Sequence, residues 1–136
     1  MKPPAKVYLI DMNVILRFLL DDHKKYSPKA KAFMELVSQG EKKAEIPSVI
    51  IVECVYVMEG FYKIPKGEIV DTLTKVLNFD GVVNVDKSEI LEALFKYANT
   101  NTSIVDCLLA ARSSPEKVII SFDKDFGRLK AIIEII

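Results

Sequence analysis

The sequence predicts an α/β protein in which helices cover a central, mostly parallel β-sheet. Short apolar segments without polar alternation, typical of strands buried on both faces, alternate with longer segments whose apolar residues recur at helical spacing. That alternation is the pattern of α/β folds. At 136 residues the chain is long enough for one sizeable core, and we expect a single domain over residues 1–136.

Short apolar segments predict the strands of this sheet, and the first strand is expected to be fully buried. The segments are 6–10, 44–46, 82–85, 117–121 and 132–136. In open α/β sheets, ligands bind at the carboxyl ends of the strands. Residues that directly follow these segments are therefore the first candidates for a functional site.

The segments between the strands predict helices. Pro28 and Pro47 suit the first turn of a helix, Ser27 suits the capping position before Pro28, and Thr102 or Ser103 suits the capping position of a later helix. The predicted helices cover 13–20, 28–40, 47–62, 65–77, 88–99 and 103–113, with a short helix or turn at 123–130.

The charge balance argues against a tight, non-specific binder of nucleic acid. The 19 Lys and Arg residues balance 19 Asp and Glu residues, so contact with a polyanion has to come from local patches or from a groove shared by a dimer.

The sequence lacks the signals that identify several classes of protein. His23 is the one histidine and is predicted at the surface, so a His-dependent triad and the usual zinc ligands are missing. No phosphate-loop motif occurs. Cys54 and Cys107 have no CxxC spacing and are predicted to fill core positions. The chain shows no signal-peptide pattern and no apolar run near the roughly 18 residues that span a bilayer, which predicts a cytoplasmic protein.

Four acidic residues close or interrupt apolar runs: Asp11, Glu53, Asp106 and Asp123. A lone ionised carboxylate in apolar surroundings is disfavoured, so it is usually paired, protonated or bound to a cation. Clustered carboxylates repel by roughly 1 to 4 kcal/mol per pair at effective dielectrics of 80 to 20. An all-oxygen cluster suits Mg²⁺ or Mn²⁺, which acidifies a bound water and neutralises charge on a phosphate. The pattern therefore indicates phosphodiester hydrolysis.

Each acid also has an ordinary structural explanation. Asp11 can cap the helix that follows it, and Glu53 can lie on the exposed side of its helix. Asp106 can favour the positive end of a helix dipole, and Asp123 or Asp125 can cap the short helix after it.

The order and context of these residues resemble the PIN-domain ribonucleases, in particular the toxins of VapBC-type toxin–antitoxin pairs. The resemblance covers residues 6–136 and rests on four motifs: an apolar strand followed by Asp11-x-Asn13, an apolar helix with Glu53, Ser103-x-x-Asp106 before LLAA, and IIS-x-Asp123-x-Asp125-Phe126. It implies a PIN-like three-layer sandwich. Met12 stands where Thr or Ser is common in the family, and Ser121 stands where Thr is usual.

The resemblance implies an endoribonuclease that depends on Mg²⁺ or Mn²⁺. Asp11, Glu53, Asp106 and Asp123 would be its catalytic residues and metal ligands. The same comparison makes Asp125 an accessory acid and gives Asn13 and Ser121 polar supporting roles.

The resemblance also implies partners. These are an RNA substrate, a cognate antitoxin that blocks the acidic pocket and a second copy of the chain in a homodimer. The candidates for phosphate contacts lie beside the acids in sequence, or else they are solvated surface charges: Arg17, Lys24, Lys25, Lys124 and Arg128.

Alternatives stay open at the level of sequence. One is a catalytically idle PIN-like module that binds RNA or protein. Another is a phosphatase of the haloacid-dehalogenase type with Asp11 as nucleophile, although Asn13 stands where such enzymes usually carry a second acid. A third keeps the nuclease but assigns it to RNA processing instead of toxicity.

Overall fold

The computed structural model describes residues 5–136, which divide into two compact units with the boundary between Val85 and Asp86. The first unit contains, in order, β1 (Val7–Leu9), α1 (Met12–Leu20), α2 (Tyr26–Ser38), β2 (Lys43–Glu45), α3 (Ser48–Gly60) and α4 (Lys66–Leu77). The second contains α5 (Lys87–Asn99), α6 (Ile104–Arg112), β3 (Ile119–Ser121), a 3₁₀ helix (Lys124–Leu129) and β4 (Ile133–Ile135). The predicted α/β class is confirmed.

The strands pair in parallel, as predicted, but they are short. β1 pairs with β2, and β3 pairs with β4, with three residues in each strand. Within the described part of each unit the named strands form a two-stranded pair, so the predicted three-layer sandwich around one central sheet is not confirmed.

The predicted strand at 82–85 is reduced to a bridge. Val82 bridges Ala44 in parallel, but the next pairing is made by a side chain. The Asn84 amide accepts a hydrogen bond from Ile46 N (2.9 Å) and donates one to Ile46 O (2.7 Å). Because that amide takes both backbone groups of Ile46, the backbone ladder stops there.

Close backbone packing explains the glycine before this bridge. A Cβ on Gly81 would collide with the carbonyl oxygens of Val37 and Lys42. The Gly81 N–H donates to Val37 O (2.8 Å), and Gly81 O accepts from Ala44 N (2.8 Å). Glycine is therefore required where the end of α2 meets β2.

The expectation of a fully buried first strand was wrong. Val7 and Leu9 are 49% and 71% exposed. Tyr8, between them, packs edge-on against Phe33 of α2 with ring centroids 5.5 Å apart. One face of β1 is thus covered by α2, whereas the other carries apolar side chains at the surface.

The start of α2 also differs from the prediction. Ser27 is not a cap but lies buried inside the helix, where its hydroxyl accepts a hydrogen bond from His23 N (3.0 Å). The first turn is held instead by His23, whose Nδ1 accepts from Lys25 N (3.2 Å) and Tyr26 N (3.0 Å). The other helices begin and end within a few residues of their predicted bounds.

Apolar side chains on the inward helix faces form the cores. The largest fully buried ones are Ile15, Leu16, Met34, Ile46, Ile51, Met58, Ile69, Leu73 and Leu77 in the first unit and Ile90, Leu94 and Ile104 in the second. Cys54 and Cys107 are buried free thiols, which confirms their predicted role as core fillers. Over residues 5–136, no helix is both long and apolar enough to cross a membrane.

Candidate active site

In the first unit, Asp11 lies between β1 and α1 with extended backbone (φ −78°, ψ 154°). Its carbonyl accepts a hydrogen bond from Val14 N (3.2 Å), so its backbone begins the helix. Within the described residues, the Asp11 side chain makes no capping hydrogen bond. The explanation of Asp11 as a side-chain cap is therefore not what the structure shows, and the Asp11 carboxylate is exposed to water.

Glu53 lies on the exposed side of α3, as its ordinary explanation requires. Val49 and Tyr56, one turn before and after it, are also exposed. The side chains that make this helix apolar in sequence therefore do not all point inward, and Glu53 keeps its contact with water.

The buried Cys54 thiol responds to both acids of this unit. The pKa of Cys54 is raised to about 12, first by burial and then by the negative charges of Glu53 and Asp11. Negative charge disfavours a thiolate, so both carboxylates act on the Cys54 thiol in the same direction as burial does.

In the second unit, Asp106 occupies the first turn of α6 and is half-buried. Its N–H donates to the Ser103 hydroxyl (3.2 Å), which confirms Ser103 as the cap. A carboxylate in a first turn favours the positive end of the helix dipole, so this position is one where a negative charge is tolerated without a partner.

Asp123 follows β3 and begins the 3₁₀ helix. One carboxylate oxygen accepts from Asp125 N (2.8 Å), so the capping explanation of Asp123 is confirmed. The Ser121 hydroxyl accepts from Asp123 N (2.9 Å) and thereby fixes the backbone of Asp123. Asp125 lies 3.9 Å from Arg128, an exposed pair that contributes little to stability.

The premise that the four acids are buried was wrong. Asp11, Glu53 and Asp123 are exposed and Asp106 is half-buried, and some of their apolar sequence neighbours, such as Val105 and Phe122, are exposed as well. In neither unit do the described residues bring three His, Cys, Asp or Glu side chains into a group that would hold a metal ion. The donor set is nevertheless all oxygen, which fits Mg²⁺ or Mn²⁺ in chemistry.

The basic residues predicted to contact phosphates differ in their own contacts within the protein. Arg17 donates to Asp22 (2.7 Å) and to the Tyr62 hydroxyl (2.8 Å), and the hydrogen bond to Tyr62 is the main cause of a raised Arg17 pKa. Both terminal nitrogens of the Arg17 guanidinium therefore donate hydrogen bonds within the protein. Lys124 and Arg128 are exposed beside Asp123.

Asp11 is one of the residues that line a groove of ≈ 810 Å³ in the first unit. Asn13 and Arg17 of α1 line it, and Arg17 is fixed there by Asp22 and Tyr62. Sequence reasoning missed the opposite wall, which is formed by His23, Tyr26, Lys29, Ala30 and Phe33. The signal was present as aromatic side chains interleaved with lysines in HKKYSPKAKAF, directly after the helix that carries Asp11.

Comparison with known proteins agrees with the motifs. The family model described as the PIN domain matches residues 8–132, a range that contains all four acids and most of each unit. The chain is also 33% identical over 124 residues to a protein named VapC ribonuclease from Aquifex aeolicus (strain VF5), with 89% of this chain and 90% of the relative covered. The chain therefore belongs to the PIN domain family.

Proposed function

We propose that this chain is a divalent-metal-dependent endoribonuclease, the toxin of a VapBC-type pair, and that residues 1–136 act as one nuclease domain. The observation that carries the proposal is the family match over residues 8–132, which contains Asp11, Glu53, Asp106 and Asp123 in the order of the motifs. The relative named VapC ribonuclease supports the ribonuclease activity and the toxin role.

The carboxylates are assigned as metal ligands. A bound Mg²⁺ or Mn²⁺ would supply an acidified water and neutralise charge on the scissile phosphate. The Asp11 carboxylate is not used as a cap, and Asp123 keeps one oxygen beyond its cap. Glu53 adds a second exposed carboxylate in the first unit, and Asp106 adds one in the first turn of α6.

Polar residues near the acids are assigned supporting roles. Ser121 holds the backbone of Asp123 through its hydroxyl. We assign Asn13, which lies beside Asp11 in the groove, to orienting that carboxylate, and Asp125 to an accessory role beside Asp123. Lys124 and Arg128 are the exposed cations placed to contact RNA phosphates, whereas Arg17 shapes the groove wall.

The partners follow from the same proposal. The toxin assignment requires an antitoxin that covers the acids, and the neutral net charge favours a homodimer that combines two binding surfaces for RNA. We place the activity in the cytoplasm.

Cleavage of a labelled single-stranded RNA with Mg²⁺ or Mn²⁺, and with a chelator as the blank, tests the activity. Asp11→Asn should reduce cleavage to the blank. Because the Asp11 side chain is exposed and makes no capping hydrogen bond to α1, the free energy of unfolding should change by less than about 1 kcal/mol. Asp71→Asn, which removes an exposed acid on α4, is the matched control and should cleave as the parent does.

Two outcomes would count against the proposal. Cleavage by Asp11→Asn at the parent rate would remove Asp11 from the active site. RNA binding by the parent without cleavage under any divalent ion would favour the idle binding module instead. The toxin role is tested separately by growth arrest on induction and by its relief when the neighbouring small gene is expressed together with this one.

A further inference from the structure

We infer that the groove in the first unit is a subsite for a nucleobase of single-stranded RNA, stacked on the His23–Tyr26 ring pair and leading to Asp11. This inference rests on the proposed nuclease function and adds to it a binding site for the substrate. It assigns a role to His23 and Tyr26, to which the acid motifs give none.

The ring pair has the geometry of a stacking platform. The rings of His23 and Tyr26 lie 4.5 Å apart at an angle of 17°, and both residues are exposed. His23 stacks on the Tyr26 ring and Lys25 Nζ also lies over that ring, so a base would place its π face on the His23 side of the pair. Base–aromatic stacking is how sequence-tolerant proteins hold single-stranded nucleic acid.

The platform is held rigidly before any ligand arrives. The His23 ring is fixed by the N–H groups of Lys25 and Tyr26, which both donate to Nδ1. The backbone of the same residue is fixed by Ser27, whose hydroxyl accepts from His23 N and whose N–H donates to His23 O (3.0 Å). A rigid ring loses little conformational entropy when a base stacks on it.

The charges around the platform favour a nucleic acid over an apolar peptide. Lys29 lines the groove, and the Nζ of Lys25 lies 5.5 Å from the centre of the Tyr26 ring. Lys24 and Lys31 are exposed on the same segment. Cations beside aromatic faces provide both contacts that single-stranded RNA needs, one for the phosphates and one for the bases.

The groove also leads to the proposed chemistry. Asp11 and Asn13 line the same groove as the His23–Tyr26 ring pair. A base stacked on His23 and Tyr26 would therefore belong to a nucleotide near the phosphate that the acids act on. The subsite would fix the position of the RNA along the groove, which is a contribution to the choice of cleavage position.

The test measures RNA affinity in the Asp106→Asn background, where cleavage does not consume the probe. The probes are a labelled oligoadenylate of about eight nucleotides, within the usual site size, and a ribose-phosphate chain of the same length without bases. His23→Asn removes the ring but keeps a side-chain acceptor for the N–H groups of the first turn. Tyr26→Leu removes the second ring and keeps an apolar side chain.

Each ring variant should weaken oligoadenylate binding roughly 5- to 150-fold, the effect of losing one stacked base, and should leave binding of the base-free chain unchanged. Phe95→Leu, which removes an exposed aromatic ring from α5, is the control and should bind both probes as the Asp106→Asn parent does. Thermal unfolding of each variant checks that the first turn of α2 remains folded.

Equal oligoadenylate affinity in His23→Asn, Tyr26→Leu and their parent would overturn the inference and leave the groove to a protein partner. A failure of the proposed nuclease function would give a different set of results from a failure of this inference. If the chain with native Asp106 cleaves no RNA but the ring variants still lose base-dependent affinity, the subsite stands without the nuclease.

Discussion

The guanidinium of Arg17 donates a hydrogen bond to the hydroxyl of Tyr62 at 2.8 Å, which joins α1 to the segment after α3. The same guanidinium donates to Asp22 just beyond the end of α1. Asp11 opens α1 and Glu53 lies on α3, so this contact links the two helices whose positions set the distance between those acids.

Tyr62→Phe should therefore lower the free energy of unfolding by about 1 kcal/mol, because a half-buried charged donor loses one of its acceptors. The edge-on contact of the Tyr62 ring with Phe61 is retained in this variant. Urea denaturation measures the change. Tyr56→Phe, at an exposed position on α3, is the control. Equal losses in the two variants would show that the hydroxyl of Tyr62 is not what holds α1.

The Cys54 thiol gives a reporter of the acids in the first unit. Its pKa is raised from 9.0 to about 12, first by burial, then by Glu53 and then by Asp11. Negative charges disfavour the thiolate, so Glu53→Gln should lower the pKa of Cys54 more than Asp11→Asn does. Both variants should therefore speed alkylation of the Cys54 peptide in the folded protein, as followed by mass spectrometry between pH 8 and 10.

The same shift predicts how stability depends on pH. The folded thiol keeps its proton where the unfolded thiol loses it, so the folded state binds more protons above about pH 9. The contribution of Cys54 is thus complete below pH 9 and is lost as pH rises toward 12. Cys54→Ala should make the free energy of unfolding depend less on pH in this range.

Identical alkylation rates in the parent, Glu53→Gln and Asp11→Asn would show that the two acids do not affect the Cys54 thiol.

Local sequence signals were sufficient for most elements of the fold. Ser103 was predicted as a cap because a hydroxyl directly before an apolar helix satisfies a free N–H, and that hydrogen bond is present. The end of the third strand pairing depends instead on the Asn84 amide reaching Ile46, which is a tertiary contact. No local pattern predicts such a contact, so the strand at 82–85 was overestimated.

The acids were found for a reason that the structure only partly supports. Their positions in apolar runs suggested burial, yet Val49 and Tyr56 share the exposed face of α3 with Glu53. The apolar residues around an acid in the sequence therefore did not show whether its side chain is buried. The ring pair of His23 and Tyr26 was missed because a histidine in a charged segment was interpreted by its local sequence alone, without the groove it faces.

Ser121 provides the sharpest test of the second unit, because its hydroxyl has one visible task. It accepts the hydrogen bond from Asp123 N (2.9 Å) and so sets where the Asp123 carboxylate stands after β3. Ser121→Ala should weaken Mn²⁺ affinity or cleavage about 10- to 100-fold, the usual cost of removing a group that orients a metal ligand. Ser121→Thr keeps the hydroxyl and should retain most of the activity. Calorimetric titration of Mn²⁺ beside the cleavage assay separates the two readouts, and equal Mn²⁺ affinity and cleavage in the Ala and Thr variants would show that the Asp123 backbone needs no such support.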